Sequence, residues 1–139
     1  MAYDSNNIFA RILRDELPSH RVYEDAHTLA FMDVMPQVDG HTLVIPKAEA
    51  EYIYDVPAES LAALALTTQR VARAVQKAFD APGILIAQLN GRAAGQTVFH
   101  LHFHIIPRHR GIELGFHARD MADPTLLAEH AARIRAALA

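Results

Sequence analysis

Apolar and polar positions alternate with a period of two through Val98-Phe99-His100-Leu101-His102-Phe103-His104-Ile105-Ile106. That alternation, in residue types that suit a pleated backbone, predicts a β-strand limited by Pro107. Side chains i, i+2 and i+4 share one face of a strand. His100, His102 and His104 are therefore expected to project to one side, and Leu101, Phe103 and Ile105 to the other.

The rest of the chain divides by similar patterns. Ser5 or Asn6 can cap a short helix carrying Ile8, Phe9, Ile12 and Leu13, ended by Leu17-Pro18-Ser19. Strands are expected over residues 21–24 and 28–32, around a turn at Asp25-Ala26-His27. Residues 33–40 read as a loop, and residues 41–46 as a buried-type strand stopped by Pro46. A long helix is predicted over residues 57–79, because Leu61, Leu64, Thr68, Val71, Val75 and Phe79 recur at spacings of three and four. A strand over residues 83–89 and a loop over residues 90–95 lead into the histidine strand. Residues 111–120 look irregular. Asp123-Pro124 then starts a terminal helix with Leu127, Ala131, Ile134 and Leu138 on its buried stripe.

These elements predict an α+β fold: one five-stranded, largely antiparallel sheet with helices on one face. The long helix should meet Leu101, Phe103 and Ile105, with the histidines facing away. A chain of 139 residues is most simply one domain, with a core over about residues 5–108 and a helical C-terminal extension over about 109–139.

Composition narrows the function. Hydrophobic residues make up 51% of the chain, enough for a sizeable core. The formal charge of −3, with no long basic run, argues against a nucleic-acid partner. With no cysteine, disulfides and thiolate metal sites are excluded. The first residues lack the basic and apolar regions of a signal peptide, and no apolar stretch reaches the roughly 18 residues of a membrane span. A cytoplasmic protein without membrane partners is the expectation.

Two chemistries compete for the histidines. A metal is one, since imidazole is the commonest metal ligand. In an extended strand, however, the Cα atoms of His100 and His104 lie about 13 Å apart. One ion would need a neighbouring pair plus a distant ligand such as His41. The other chemistry is nucleophilic: a neutral imidazole nitrogen attacks phosphorus and splits one hard displacement into two easier ones. His102, flanked by a histidine on each side, is the best placed. Gly95-Gln96-Thr97 just upstream offers close backbone approach and two polar side chains. Alone, His41 reads as a surface or satisfied core histidine and Asp33 as a loop cap. Ile8, Phe9, Ile12, Phe31 and Val34 are equally plausible as plain core.

The stretch from Gly95 to Arg108, with its His-x-His-x-His core, resembles the histidine triad (HIT) family. So do Asn7-Ile8-Phe9-Ala10-Arg11-Ile12, Ala30-Phe31-Met32-Asp33-Val34-Met35-Pro36-Gln37 and Gly40-His41-Thr42-Leu43-Val44-Ile45-Pro46-Lys47. The resemblance implies hydrolysis or transfer at the α-phosphate of a purine nucleotide. His102 would be the nucleophile that forms a nucleotidyl-histidine intermediate. His104, Gln96 and Thr97 would contact phosphate oxygens or the leaving group, with Asn90 as a further phosphate contact. His100, with His41 beside it, would orient the nucleophile from behind. Asp33 would hold the ribose hydroxyls, and Ile8, Phe9, Ile12, Phe31 and Val34 would form the purine slot. No cofactor and no metal are implied. A homodimer that extends the sheet is implied. Within the family, a purine nucleoside phosphoramidase is the primary expectation. A diadenosine polyphosphate hydrolase and a nucleotide-binding regulatory module with weak hydrolase activity are its rivals. Thr97 stands where phosphoramidase relatives commonly carry serine.

Overall fold

The structure, a computed structural model, describes residues 3–111 and 120–138. The element order is α1 (Ile8–Leu13), β1 (Arg21–Glu24), β2 (Thr28–Met32), β3 (Thr42–Pro46), α2 (Ala58–Ala78), β4 (Gly83–Gln88), β5 (Phe103–Arg108) and α3 (Pro124–Ala137). The five strands form one sheet in the order β1-β2-β3-β5-β4, with every pairing antiparallel. The expected irregular chain over residues 112–119 lies outside the described residues.

β2 and β3 are buried along their whole length. That explains their near-continuous apolar runs, because residues pointing either way meet a core. Ala30, Met32 and Val44 point to one face and pack with Leu64, Val71 and Val75 of α2 and Leu127, Ala131 and Ile134 of α3. Leu29, Phe31, Leu43 and Ile45 alternate with them and pack with Phe9 and Ile12 of α1. The two long helices thus share one face, as expected, while short α1 covers the other. Its N-cap is Asn7 rather than Ser5 or Asn6, with the side chain accepting from the Ala10 N–H at 2.9 Å.

The histidine segment differs from its expectation. β5 begins only at Phe103, so His104 alone of the three lies in a strand. β3 pairs with β5 only from Val44↔Phe103 to Thr42↔Ile105. Upstream, the Leu101 N–H instead donates to the carbonyl of Ala50 in the loop after β3, at 2.8 Å. Leu101 still faces the α2 core, together with Ile105 and the partly buried Phe103. The alternation therefore survives where the ladder does not. At the other end the strand runs through Pro107 to Arg108. Proline is tolerated there because pairing with β3 has ended, leaving only β4 alongside through Ile84↔Pro107.

Candidate active site

Five backbone and side-chain contacts define the proton positions on four imidazoles. His102 Nδ1 lies 2.7 Å from the carbonyl oxygen of His100. A carbonyl can only accept, so Nδ1 carries the proton and Nε2 carries the lone pair. His100 Nε2 lies 2.8 Å from the Pro46 carbonyl and is likewise protonated. Its Nδ1 accepts from the Tyr3 hydroxyl at 2.5 Å. His41 Nδ1 accepts from the Gln37 N–H at 3.0 Å, so His41 carries its proton on Nε2. That proton is donated to His104 Nδ1 at 2.9 Å, which leaves His104 protonated on Nε2.

Burial keeps these rings neutral. It lowers His41 to about 3, and the nearby His104 and His102 add to the effect. It lowers His100 and His104 each to about 4, and it lowers His102 below the ordinary histidine value. His102 is wedged between two rings. Phe9 meets it edge-on at a centroid distance of 4.9 Å, and His104 lies tilted at 4.9 Å.

The resemblance put His41 beside His100, but the structure pairs it with His104. The antiparallel register is the reason. Leu43 opposes His104, so His41, two residues upstream on the same face, sits diagonal to it. Pro46, at the far end of β3, is the residue that meets His100. His100 is fully buried.

Asp33 is mostly buried. Its Oδ1 accepts from the Met35 N–H at 2.9 Å, and its Oδ2 lies 3.5 Å from His41 Nε2. Desolvation raises its carboxyl to about 6. His41 is neutral, so this contact is dipolar rather than an ion pair.

Ligand atoms of Asp33, His41 and His104 lie within 4.8 Å of one another. The donor set does not suit a cation. A metal on His41 Nε2 would require an imidazolate, because Nδ1 already accepts from Gln37.

The loop residues are placed unevenly. Gln96 is buried, with its Nε2 donating to the carbonyls of Glu51 and Val98 and its Oε1 accepting from Gly91. Both amide hydrogens are committed, so the expected phosphate contact has no free N–H; Gln96 instead braces the loop. Asn90 exchanges hydrogen bonds with Gln88 and accepts from the Ile53 N–H. Among the described residues, one Asn90 amide hydrogen has no acceptor. Exposed Thr97 lines a cleft of about 530 Å³ with Ile8, Val98, Phe99 and Arg92. Of the expected purine slot, Phe9, Ile12 and Phe31 form a buried cluster, while Ile8 and Val34 are 52% and 42% exposed.

Sequence reasoning missed Tyr3 and the three main-chain groups of Gln37, Pro46 and His100 that polarise the rings. A main-chain group leaves no residue-type signal, and Tyr3 stands far from the motif.

Comparison with known proteins identifies the family. The HIT domain family matches residues 14–111. The Bacillus subtilis Protein hit is 43% identical over 104 residues, covering 75% of this chain and 72% of that protein. The adenosine 5'-monophosphoramidase HNT1 of Saccharomyces cerevisiae is 35% identical over 120 residues, covering 84% of this chain and 73% of the yeast protein. The crystal structure of a Hit-like protein involved in cell-cycle regulation from Bartonella henselae superposes with a TM-score of 0.92 at 52% identity, covering 98% of this chain and 99% of that one. With the family matching residues 14–111 and a solved member superposing over nearly the whole chain, the chain belongs to the HIT domain family.

Proposed function

We propose that this protein hydrolyses purine nucleoside 5′-phosphoramidates or related AMP conjugates through a nucleotidyl intermediate on His102. The observation that carries the reading is the hydrogen bond from His102 Nδ1–H to the His100 carbonyl, because it leaves the lone pair on Nε2. A neutral ring so oriented is a nucleophile near neutral pH without a separate base.

In this reading Nε2 attacks the α-phosphorus and the P–N bond to the leaving amine breaks. The amine departs as its electron pair takes a proton, and His104 Nε2–H is the nearest polarised donor. Water then attacks phosphorus and gives a proton back to His104 Nε2 as the P–Nε2 bond breaks, and AMP leaves with both His102 and His104 restored. The net reaction adds one water and yields a nucleoside monophosphate and a free amine. Exposed Thr97 and the free Asn90 amide hydrogen are the side-chain groups available to equatorial phosphate oxygens.

Asp33 supports the ribose assignment. A desolvated carboxylate with a single backbone donor gains most from two further hydroxyl donors, and a ribose diol supplies them. Phe9 and Phe31, with Ile8 and Val34 at the rim, offer apolar surface for the base. The yeast relative's activity on an adenosine 5'-monophosphoramidate agrees with this choice.

We also read the chain as one domain, since α3 packs on α2 as well as on β1 and β2. A homodimer fits the exposed apolar residues Leu85 and Ile86 on β4, one of the two edge strands, and Leu66 on α2.

Mass spectrometry of protein quenched during turnover of adenosine 5′-phosphoramidate tests the reading. The expected result is a nucleoside monophosphate adduct on His102, with turnover unaffected by a strong chelator. No adduct, or faster cleavage of a diadenosine polyphosphate, would overturn it.

A further inference from the structure

Tyr3 lies eleven residues ahead of the HIT domain match, which begins at residue 14. Its neighbours hold it down. The Asp4 carbonyl accepts from both the backbone N–H and the side-chain Nδ2 of Asn7, Asp4 Oδ1 accepts from the Asn6 N–H, and Arg14 Nη1 donates to the Ser5 carbonyl. From this folded segment the Tyr3 ring meets His100 edge-on, with centroids 5.7 Å apart. Its hydroxyl donates to His100 Nδ1 at 2.5 Å.

His100 is thereby held at both ring nitrogens, by Tyr3 on one side and by the Pro46 carbonyl on the other. The main-chain carbonyl of this clamped residue is the one that accepts from His102 Nδ1. We propose that Tyr3 is a positioning residue of the reaction, clamping His100 so that its carbonyl stays aimed at the Nδ1–H of His102 throughout turnover. The role rests on the His102 reading given above.

The clamp matters most after attack. Once Nε2 bonds to phosphorus, the imidazole of His102 holds a full bond at each nitrogen and carries positive charge. Its Nδ1–H becomes a charged donor, and the hydrogen bond to the His100 carbonyl strengthens. An interaction that grows along the reaction lowers the barrier rather than the ground state. Asp4, Asn6 and Asn7 of the same segment line the cleft beside Thr97, whereas the Tyr3 hydroxyl is turned to His100. Its loss should appear in kcat and not in KM.

Three forms of the full chain separate this role from simple packing: wild type, Tyr3→Phe and Tyr3→Ala. The readouts are single-turnover formation of the His102 adduct, steady-state kcat and KM, and the ¹⁵N resonance of His100 Nδ1. We expect kcat and adduct formation to fall about three- to tenfold in both variants, the range for losing one net hydrogen bond. KM should stay level, and the His100 Nδ1 resonance should move toward that of an unbonded imine nitrogen. Tyr3→Phe with wild-type kcat would overturn the positioning role, because the ring alone would then suffice. A rise in KM at constant kcat would overturn it too. Wild-type protein that forms no adduct would instead sink the His102 reading and the clamp with it, while the ¹⁵N resonance would still report the Tyr3 bond.

Discussion

His41 Nε2 donates to His104 Nδ1 across 2.9 Å, and the direction of that bond is dictated by the Gln37 N–H on the far side of the His41 ring. The proton on His104 Nε2 is a consequence of this relay. Removing His41 frees His104 to place its proton on either nitrogen. His41→Ala is expected to lower kcat by about tenfold or more, as the donor is lost from part of the population. Nitrogen NMR of His104 in that variant should show mixed tautomers.

His102 and Leu101 are adjacent, yet their substitutions should have opposite effects. His102→Asn removes the nucleophile and should abolish turnover while changing the melting temperature by only a few degrees. Leu101 is fully buried in the α2 core. Leu101→Asp puts an unpaired charge there and should cost roughly 3 kcal/mol or more. Chemical denaturation of both variants checks the pair. Equal losses of stability would contradict the alternation of the two side chains.

That alternation was legible from the sequence, and so were β1, β2 and the span of α2 to within one residue at either end. Local period and residue type decide these elements, so a reading by pattern succeeds. The strand status of His100 and His102 was not legible. It depends on where β3 stops pairing, a tertiary fact that no periodicity contains. The same limit applies to Gln96. Its type and place beside Thr97 suggested a ligand contact, whereas its burial under Glu51 and Val98 commits it to the loop. The pairing of His41 with His104 follows from register, which the sequence leaves open.

Acid should loosen the fold, and the sign follows from the buried rings. His41, His100 and His104 are depressed by burial to about 3, 4 and 4, below the ordinary 6.5. Their contribution to stability is full above pH 6.5 and is lost as pH falls toward 4. Asp33 is raised to about 6, so its contribution is present below pH 3.8 and lost as pH rises through 6. Three histidines outweigh one carboxylate, and the melting temperature should fall between pH 6.5 and pH 4. In Asp33→Asn the opposing group is gone and the fall should be steeper. The same variant should raise KM about tenfold or more through loss of charge-assisted bonds to the ribose. Thermal melts across this range, with KM measured at pH 7, check both.

Gly40 precedes His41 with φ of +92°. A Cβ there would meet two ring carbons of Phe79 at 2.9 Å. Gly40→Ala combines left-handed strain with this clash and should cost about 1–3 kcal/mol. Activity should fall with it, since the displaced residue carries His41. Differential scanning fluorimetry and a turnover assay on the same sample would show the two losses together.

The groups that set ring polarity here are peptide groups: the amide of residue 37 and the carbonyls of residues 46 and 100. Every amino acid supplies a carbonyl, and every one except proline supplies an amide hydrogen. The proton positions are therefore written by the main chain and not by the residue types at positions 37 and 46, except that a single proline at 37 would erase the direction of the His41–His104 relay.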